Sequence, residues 1–276
     1  MVHAAAKTES SFWQRSNDLK RRAWPYRLAR FVRAQVGNVC AHGAMLAQEP
    51  RVAAAWRRGW DAPHFQRLLR WHEEGFRPRV VLDIGAHTGD WAAMCEALFT
   101  PDHCVLLEPQ RELLEVARRR QPPAAHWQLV PVAVGDVEQE EMLYLTEQRA
   151  AASLLSPLRE DHFAAATRCT GQVPVQIVRL DTLLRRENLP PPDLIKIDVQ
   201  GFEAKVIAGG QETLKQTRRL VVETSLRPIY QGQPLLPEVL RMLADLGFQL
   251  DDFNEVCRAW PNGRLWQADL WLTRPA

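Results

Sequence analysis

Residues 79–90, Arg-Val-Val-Leu-Asp-Ile-Gly-Ala-His-Thr-Gly-Asp, constrain the fold more than any other stretch. A run of aliphatic residues ends in an acid, turns through two glycines and opens a helix. Such a run has no polar face, so it belongs in a parallel sheet covered by helices on both sides. The theme repeats downstream. Strands are predicted over His103–Leu107, Trp127–Val134, Leu194–Val199, Arg219–Thr224, Phe248–Phe253 and Ala268–Thr273. Helices are predicted over Asp90–Phe99, Pro109–Arg120, Phe202–Lys215 and Leu236–Leu246, the last closed by Gly247. Between 138 and 180 the rhythm breaks, and Glu141–Thr146 and Val173–Leu180 read as an inserted hairpin or flap. Before Arg79 there is only helical spacing, over Tyr26–Val36 and Val52–Trp71. The expected organisation is a helical N-terminal extension over 1–75 and one α/β domain over 76–276.

The glycine spacing separates two kinds of nucleotide site. A dinucleotide fold uses G-x-G-x-x-G to set a pyrophosphate on the helix N-terminus. Here Gly85 and Gly89 are spaced G-x-x-x-G behind Asp83. An acid there repels a pyrophosphate and suits an ammonium. Glu108, closing the next strand about 20 residues on, is placed to accept the two hydroxyls of a ribose. Asp83, Gly85, Gly89 and Glu108 are thus set out for an adenosyl ligand with an ammonium and no phosphate, which describes S-adenosylmethionine.

Bulk properties narrow the class further. A net charge of +2, with the basic residues dispersed, gives no footprint for nucleic acid. The five cysteines are odd in number and scattered, which argues against a disulfide framework or structural zinc and fits the cytoplasm. No apolar run is long enough for a transmembrane segment. The arginines of 15–33 form either a solvated helix face or a weak contact with an anionic membrane surface. Oligomeric state is left open.

A second informative run is Lys196-Ile-Asp-Val-Gln-Gly-Phe-Glu203. A buried strand rarely ends in Asp for stability alone, because an unpaired buried carboxylate is costly. Lys196 is its partner in a purely structural reading. The functional reading makes Asp198 and Glu223, at two strand ends, the candidate catalytic acids that take a proton from an acceptor hydroxyl. Glu203 either orients Asp198 or caps the following helix. Paired carboxylates can also hold Mg²⁺, although no tight acidic triplet or His pair supports it. His87 and His162 are weaker proton-acceptor or lid candidates, and Tyr230 is a candidate contact for a sugar ring.

Residues 79–276 resemble the FkbM-type methyltransferases. The resemblance rests on Asp83-Ile-Gly-Ala-His-Thr-Gly89, Glu108-Pro109, Pro131-Val-Ala-Val-Gly-Asp136 and Leu180-Asp-Thr-Leu183. It continues through Lys196–Glu203, Val222-Glu-Thr224, Pro228-Ile-Tyr230 with Gly232, and Gln267-Ala-Asp269. It implies a Rossmann-like class I methyltransferase: a mostly parallel seven-stranded sheet whose last strand is antiparallel. It also implies S-adenosylmethionine bound by Asp83, Gly85, Ala86, His87, Gly89, Glu108, Ala133 and Asp136. The implied reaction is methylation of a hydroxyl on a sugar or natural product, with a small-molecule or glycan acceptor. His87 stands where such loops more often carry Asn. N-methylation on the same fold and a non-catalytic binding scaffold are the alternatives; a nucleotide-dependent oxidoreductase is disfavoured by Asp83 and the missing third glycine.

Overall fold

The computed structural model describes residues 48–122, 125–158, 165–258 and 263–275. The expected Tyr26–Val36 helix and His162 lie outside these. The chain divides into two compact units, 1–62 and 63–276. In the first, helix α1 (Pro50–Arg57) begins at a proline behind Glu49, whose carboxylate accepts the Arg51 N–H at 3.0 Å. Trp56 is 54% exposed.

The second unit opens with helix α2 (Ala62–Glu73); the expected boundary at 75 lies just past its C-terminal end. Then come β1 (Val80–Ile84), α3 (Asp90–Phe99), β2 (His103–Leu107), α4 (Arg111–Arg120), β3 (Trp127–Val130), β4 (Ala133–Gly135) and β5 (Gln139–Thr146). They are followed by β6 (Cys169–Arg179), α5 (Leu180–Arg186), β7 (Leu194–Ile197), α6 (Glu203–Gly209) and α7 (Gln211–Gln216). The chain ends with β8 (Arg219–Ser225), α8 (Leu236–Asp245), β9 (Gln249–Arg258) and β10 (Leu265–Thr273). Seven strands form one sheet in the order β3-β2-β1-β7-β8-β10-β9. The pairs from β3 to β8 are parallel, and β10 runs against both its neighbours. The sheet is mostly parallel with its last strand reversed, as expected.

Two expected elements divide. The strand read over Trp127–Val134 breaks at Pro131, where the Val132 N–H turns back on the Val130 carbonyl at 3.0 Å. Its second half, β4, leaves the main sheet and joins a three-stranded one in the order β4-β6-β5. There β5 and β6 form the inserted hairpin. The helix read over Phe202–Lys215 breaks at Gly209-Gly210 into α6 and α7. A β-carbon at Gly209 would overlap the Gly135 carbonyl, so this close crossing of β4 and α6 requires glycine.

The two faces of the main sheet are unlike. Leu82, Ile84, Ile195, Ile197, Val222 and Leu270 share one face and pack with Leu183, Val206, Leu214 and Leu243 from helices α5–α8 into one aliphatic core. The opposite face carries charge. Asp83 pairs in register with Lys196, Lys196 with Val221, and Glu223 with Asp269. Paired residues and residues two apart share a face. Asp83, Lys196, Asp198, Glu223 and Asp269 therefore form a row across four strands, at the carboxyl ends of the parallel ones. Helix α2 reaches this face, with His64 Nε2 at 2.7 Å from Asp269 Oδ2 and Trp71 edge-on to Trp271 at 4.9 Å between ring centroids.

Candidate active site

A cavity of about 660 Å³, its open mouth included, lies over the carboxyl ends of β1, β2 and β7. Ligands of open α/β sheets bind in this position because successive strand-to-helix turns converge there. Gly85, His87, Glu108, Gln110 and Asp198 line its polar side; Ile84, Val132, Ala133, Val134, Leu143 and Phe202 line its apolar side. The wall formed by Arg149, Ala152, Ser153 and Leu154 comes from the turn after β5. That turn is tied down: Tyr144 and Ser153 exchange backbone bonds, the Leu158 N–H donates to the Ile229 carbonyl, and the Gln231 N–H donates to Ser156.

Glu108 is held ready by backbone donors. Its Oε2 accepts the His87 N–H at 3.0 Å and its Oε1 the Gln110 N–H at 2.9 Å. Burial raises its pKa, and these hydrogen bonds work against the rise. His87 has φ +49, so this backbone N–H, presented by a left-handed turn, reaches Glu108. Burial lowers the pKa of its imidazole, and its Nε2 is buried without a hydrogen-bond partner among the described residues.

The two motif glycines serve packing as well as the turn. A β-carbon on Gly85 (φ +79) would overlap the Asp198 carbonyl oxygen. On Gly89 (φ +77) it would press within 3.0–3.2 Å of Trp127, Ala117 and Leu106. The close approach that demands glycine at 85 is therefore made by the strand bearing Asp198, and at 89 by helix α4 and the sheet.

Asp83 is 1% exposed and neither of its carboxylate oxygens has a hydrogen-bond partner within 3.5 Å among the described residues. Burial pushes its pKa up to about 6, helped by the charge of Asp198 and opposed by Lys196, whose Nζ lies 3.9 Å away. Lys196 lies closer to Asp198 Oδ2, at 2.9 Å. Burial alone would lower the lysine's pKa, but the two carboxylates more than offset it and keep the side chain charged.

Asp198 and Glu223 are brought together by a residue the sequence did not single out. Gln200 Nε2 donates to Asp198 Oδ1 at 2.8 Å and to Glu223 Oε1 at 2.7 Å, and Gln267 Nε2 also donates to Glu223 Oε1, at 2.8 Å. For Asp198 burial is outweighed by the Lys196 charge and the hydrogen bonds, leaving its pKa lowered. For Glu223 burial and the charges of Asp198 and Asp269 push it well above the carboxylate range. Glu203 caps the turn: its Oε1 accepts the Gly201 N–H at 2.9 Å, and burial raises its pKa to about 7.

The other expected site residues scatter. Ala133 lines the cavity. Ala86 is buried in the turn, with its N–H donating to the Leu107 carbonyl at 3.1 Å. Asp136 lies outside the cavity lining, with Lys205 Nζ at 2.7 Å from its carboxylate. Tyr230 is fully buried and its hydroxyl donates to the Ala151 carbonyl at 2.8 Å, so it braces the wall from behind. For Mg²⁺, the described residues contain no group of three or more His, Cys, Asp or Glu side chains able to hold a metal ion.

Comparison with known proteins follows the same line. A family model described as the Methyltransferase FkbM domain matches residues 83–250. The 2-O-methyltransferase NoeI of Sinorhizobium fredii (strain NBRC 101917 / NGR234) is 30% identical over 171 residues, 59% of this chain and 70% of that protein. Among solved structures, N-methyltransferase NodS of Bradyrhizobium japonicum WM9, with S-adenosyl-l-homocysteine, shares 12% identity at a TM-score of 0.43, covering 78% of this chain and 87% of that one. A precorrin-6y C5,15-methyltransferase of Geobacter metallireducens GS-15 shares 14% at 0.43, covering 78% and 86%. The family match spans β1 to the start of β9, with both motifs that build the cavity, and on that ground the chain belongs to the FkbM family of S-adenosylmethionine-dependent methyltransferases.

Proposed function

We propose that this protein methylates a hydroxyl oxygen of a sugar or natural-product acceptor, with Asp198 receiving the hydroxyl proton. The observation that carries the reading is Asp198, paired with Lys196 Nζ at 2.9 Å, in the wall of a cavity suited to an adenosyl ligand. When bound, S-adenosylmethionine supplies a methyl carbon whose bond to sulfur breaks with its electron pair left on sulfur, as the acceptor oxygen gains the methyl and loses its proton. Glu108 keeps lone pairs on both oxygens after its backbone bonds and would accept the ribose hydroxyls. Val132, Ala133, Val134 and Phe202 supply the apolar wall an adenine needs. Asp83 lies behind Gly85 and Ala86, where its unsatisfied carboxylate favours the ligand's positive end without lining the cavity itself.

An alcohol is a weak nucleophile at neutral pH, so the ionised carboxylate at the sheet edge is the feature that favours oxygen as the target. The relative is a 2-O-methyltransferase, which supports oxygen as the methyl acceptor. The dispersed cysteines, four of them free among the described residues, fit the cytoplasm. The test is transfer of a labelled methyl group from S-adenosylmethionine to a panel of neutral methyl glycosides. The wild type should label at least one of them, and Asp198→Asn should lower kcat at least about a hundredfold with cofactor affinity nearly unchanged. Equal turnover by that variant would remove Asp198 from the chemistry.

A further inference from the structure

Gln200 touches both carboxylates that the reaction would use, and its amide can be oriented in only one way. With Asp198 Oδ1 at 2.8 Å and Glu223 Oε1 at 2.7 Å, an amide oxygen on that side would face two acceptors, so the NH₂ must lie there. One N–H goes to each carboxylate. The far end is fixed as well: Oε1 lies 3.3 Å from the Tyr230 hydroxyl, and the Gln200 backbone carbonyl accepts the Ser153 hydroxyl at 2.7 Å. The backbone itself is unusual, with φ +53 at Gln200 followed by +99 at Gly201. A non-glycine residue holds that conformation only where its surroundings over-determine it.

The carboxylates it joins have different partners. Asp198 has a cation, Lys196, on its other oxygen. Among the described residues the hydrogen-bond donors to Glu223 are neutral, Gln200 and Gln267, and both fall on Oε1. A proton on Glu223 therefore resides on Oε2. Around Asp198 stand Lys196 on its own strand, Asp83 on β1, Glu203 on α6, His87 in the turn after β1 and His64 on α2. Around Glu223 stand Asp198 and Lys196 from the end of β7, Asp269 on β10, Glu203 on α6 and Cys257 on β9. The acids outnumber the cations, and Lys196 makes its close contacts with Asp198 and Asp83, acting on Glu223 only from farther off.

We propose that Gln200 is a positioning residue that assigns the two carboxylates different tasks, Asp198 as the proton acceptor and Glu223 as a hydrogen-bond donor through Oε2. The inference rests on the methyl-transfer reading above and deepens it: of the two acids, only Asp198 serves as base. The bridging amide donates to Asp198 and favours its ionised form, and it occupies the Glu223 oxygen that must not carry the proton. The sulfonium chemistry needs one base per turnover, and this arrangement leaves one available.

The experiment is a carboxyl ¹³C NMR titration of the full chain, labelled at Asp and Glu side chains and assigned with Asp198→Asn and Glu223→Gln. No acceptor is needed. In the wild type the Asp198 midpoint is expected below the ordinary carboxylate range and the Glu223 midpoint well above it. Gln200→Leu, which keeps bulk and removes both N–H donors, should move the Asp198 midpoint up by at least about half a pH unit while Asp83 stays put. Tyr230→Phe, which frees the far end of the amide, should move it the same way by less, and it decides the matter if the leucine variant does not fold. A Glu223 that titrates no higher than Asp198 in the wild type, or an Asp198 midpoint unmoved by these variants, would overturn the assignment. Calorimetry with S-adenosylmethionine on the same samples keeps the two claims apart: lost binding in the wild type would count against the methyltransferase reading, whereas the titration decides the role of Gln200.

Discussion

Gly85 and Asp198 pass so close that a β-carbon on the glycine would overlap the aspartate's carbonyl oxygen. The turn that frames the cavity and the strand end that carries the proposed base are thus in direct backbone contact. Neither can move without the other.

Gly85→Ala should therefore be severe. It places a side chain at φ +79 and against backbone that has nowhere to go, for a cost above about 3 kcal/mol. Gly232→Ala is the control: φ is +69 but nothing lies within 4 Å, so only about 1 kcal/mol is expected. Denaturant unfolding of the two variants measures the contrast, and equal losses would mean that backbone strain, and not the contact with Asp198, explains Gly85.

The alternation of strand and helix, and the pair Asp83 and Glu108, could be read from the sequence because they are local: an apolar run, a turn, an acid at a strand end. The partnership of Gln200 with Glu223 could not, since it depends on β7 and β8 lying side by side with a left-handed backbone at 200. Nor could the reason for glycine at 85, which lies in the carbonyl of Asp198, 113 residues away. Gly209 teaches the same lesson, because its meaning lies in Gly135, 74 residues away. Periodicity reports which face of an element is buried and is silent about what lies against it.

Asp83 is a source of instability in the folded chain. Its pKa is about 6 in the folded chain and near 3.8 unfolded. The unfolded state releases the proton first, so this group lowers stability as pH rises from about 4 to 6, and the full loss persists above 6. Asp83→Asn should raise stability at pH 8 by about 1–3 kcal/mol relative to wild type, with the gain vanishing near pH 4. The same variant should bind S-adenosylmethionine more weakly. A variant less stable at pH 8 would show that Lys196 already compensates Asp83 in full.

Lys196 holds two carboxylates at once. Lys196→Met leaves Asp198 and Asp83 buried without a cation, for a cost of about 3–5 kcal/mol where both are ionised. At pH 5 Asp83 is protonated, so the loss should be smaller there than at pH 8. Urea unfolding at the two pH values gives the comparison; a pH-independent loss would point to packing of the lysine stem instead.

Helix α2 is part of the larger unit, and the place where the chain is cut should show it. Residues 63–276 keep His64 on Asp269 and Trp71 on Trp271, both tryptophans fully buried. A fragment of 63–276 is expected to fold with a Tm within a few degrees of the full chain. A fragment of 76–276 exposes Trp271, Phe99 and the Asp269 carboxylate and should aggregate or melt far lower. Equal melting of the two would make α2 dispensable.

The most direct test of the central claim is isothermal calorimetry of S-adenosylmethionine on the full chain, beside Glu108→Ala and an NAD control. The account predicts micromolar binding by the wild type, at least about tenfold weaker binding by the variant, since a charged hydrogen-bond partner is worth about 1.5–3 kcal/mol, and no binding of NAD. Binding of NAD in preference to S-adenosylmethionine, or cofactor affinity unaffected by the loss of Glu108, would contradict the cavity's assignment.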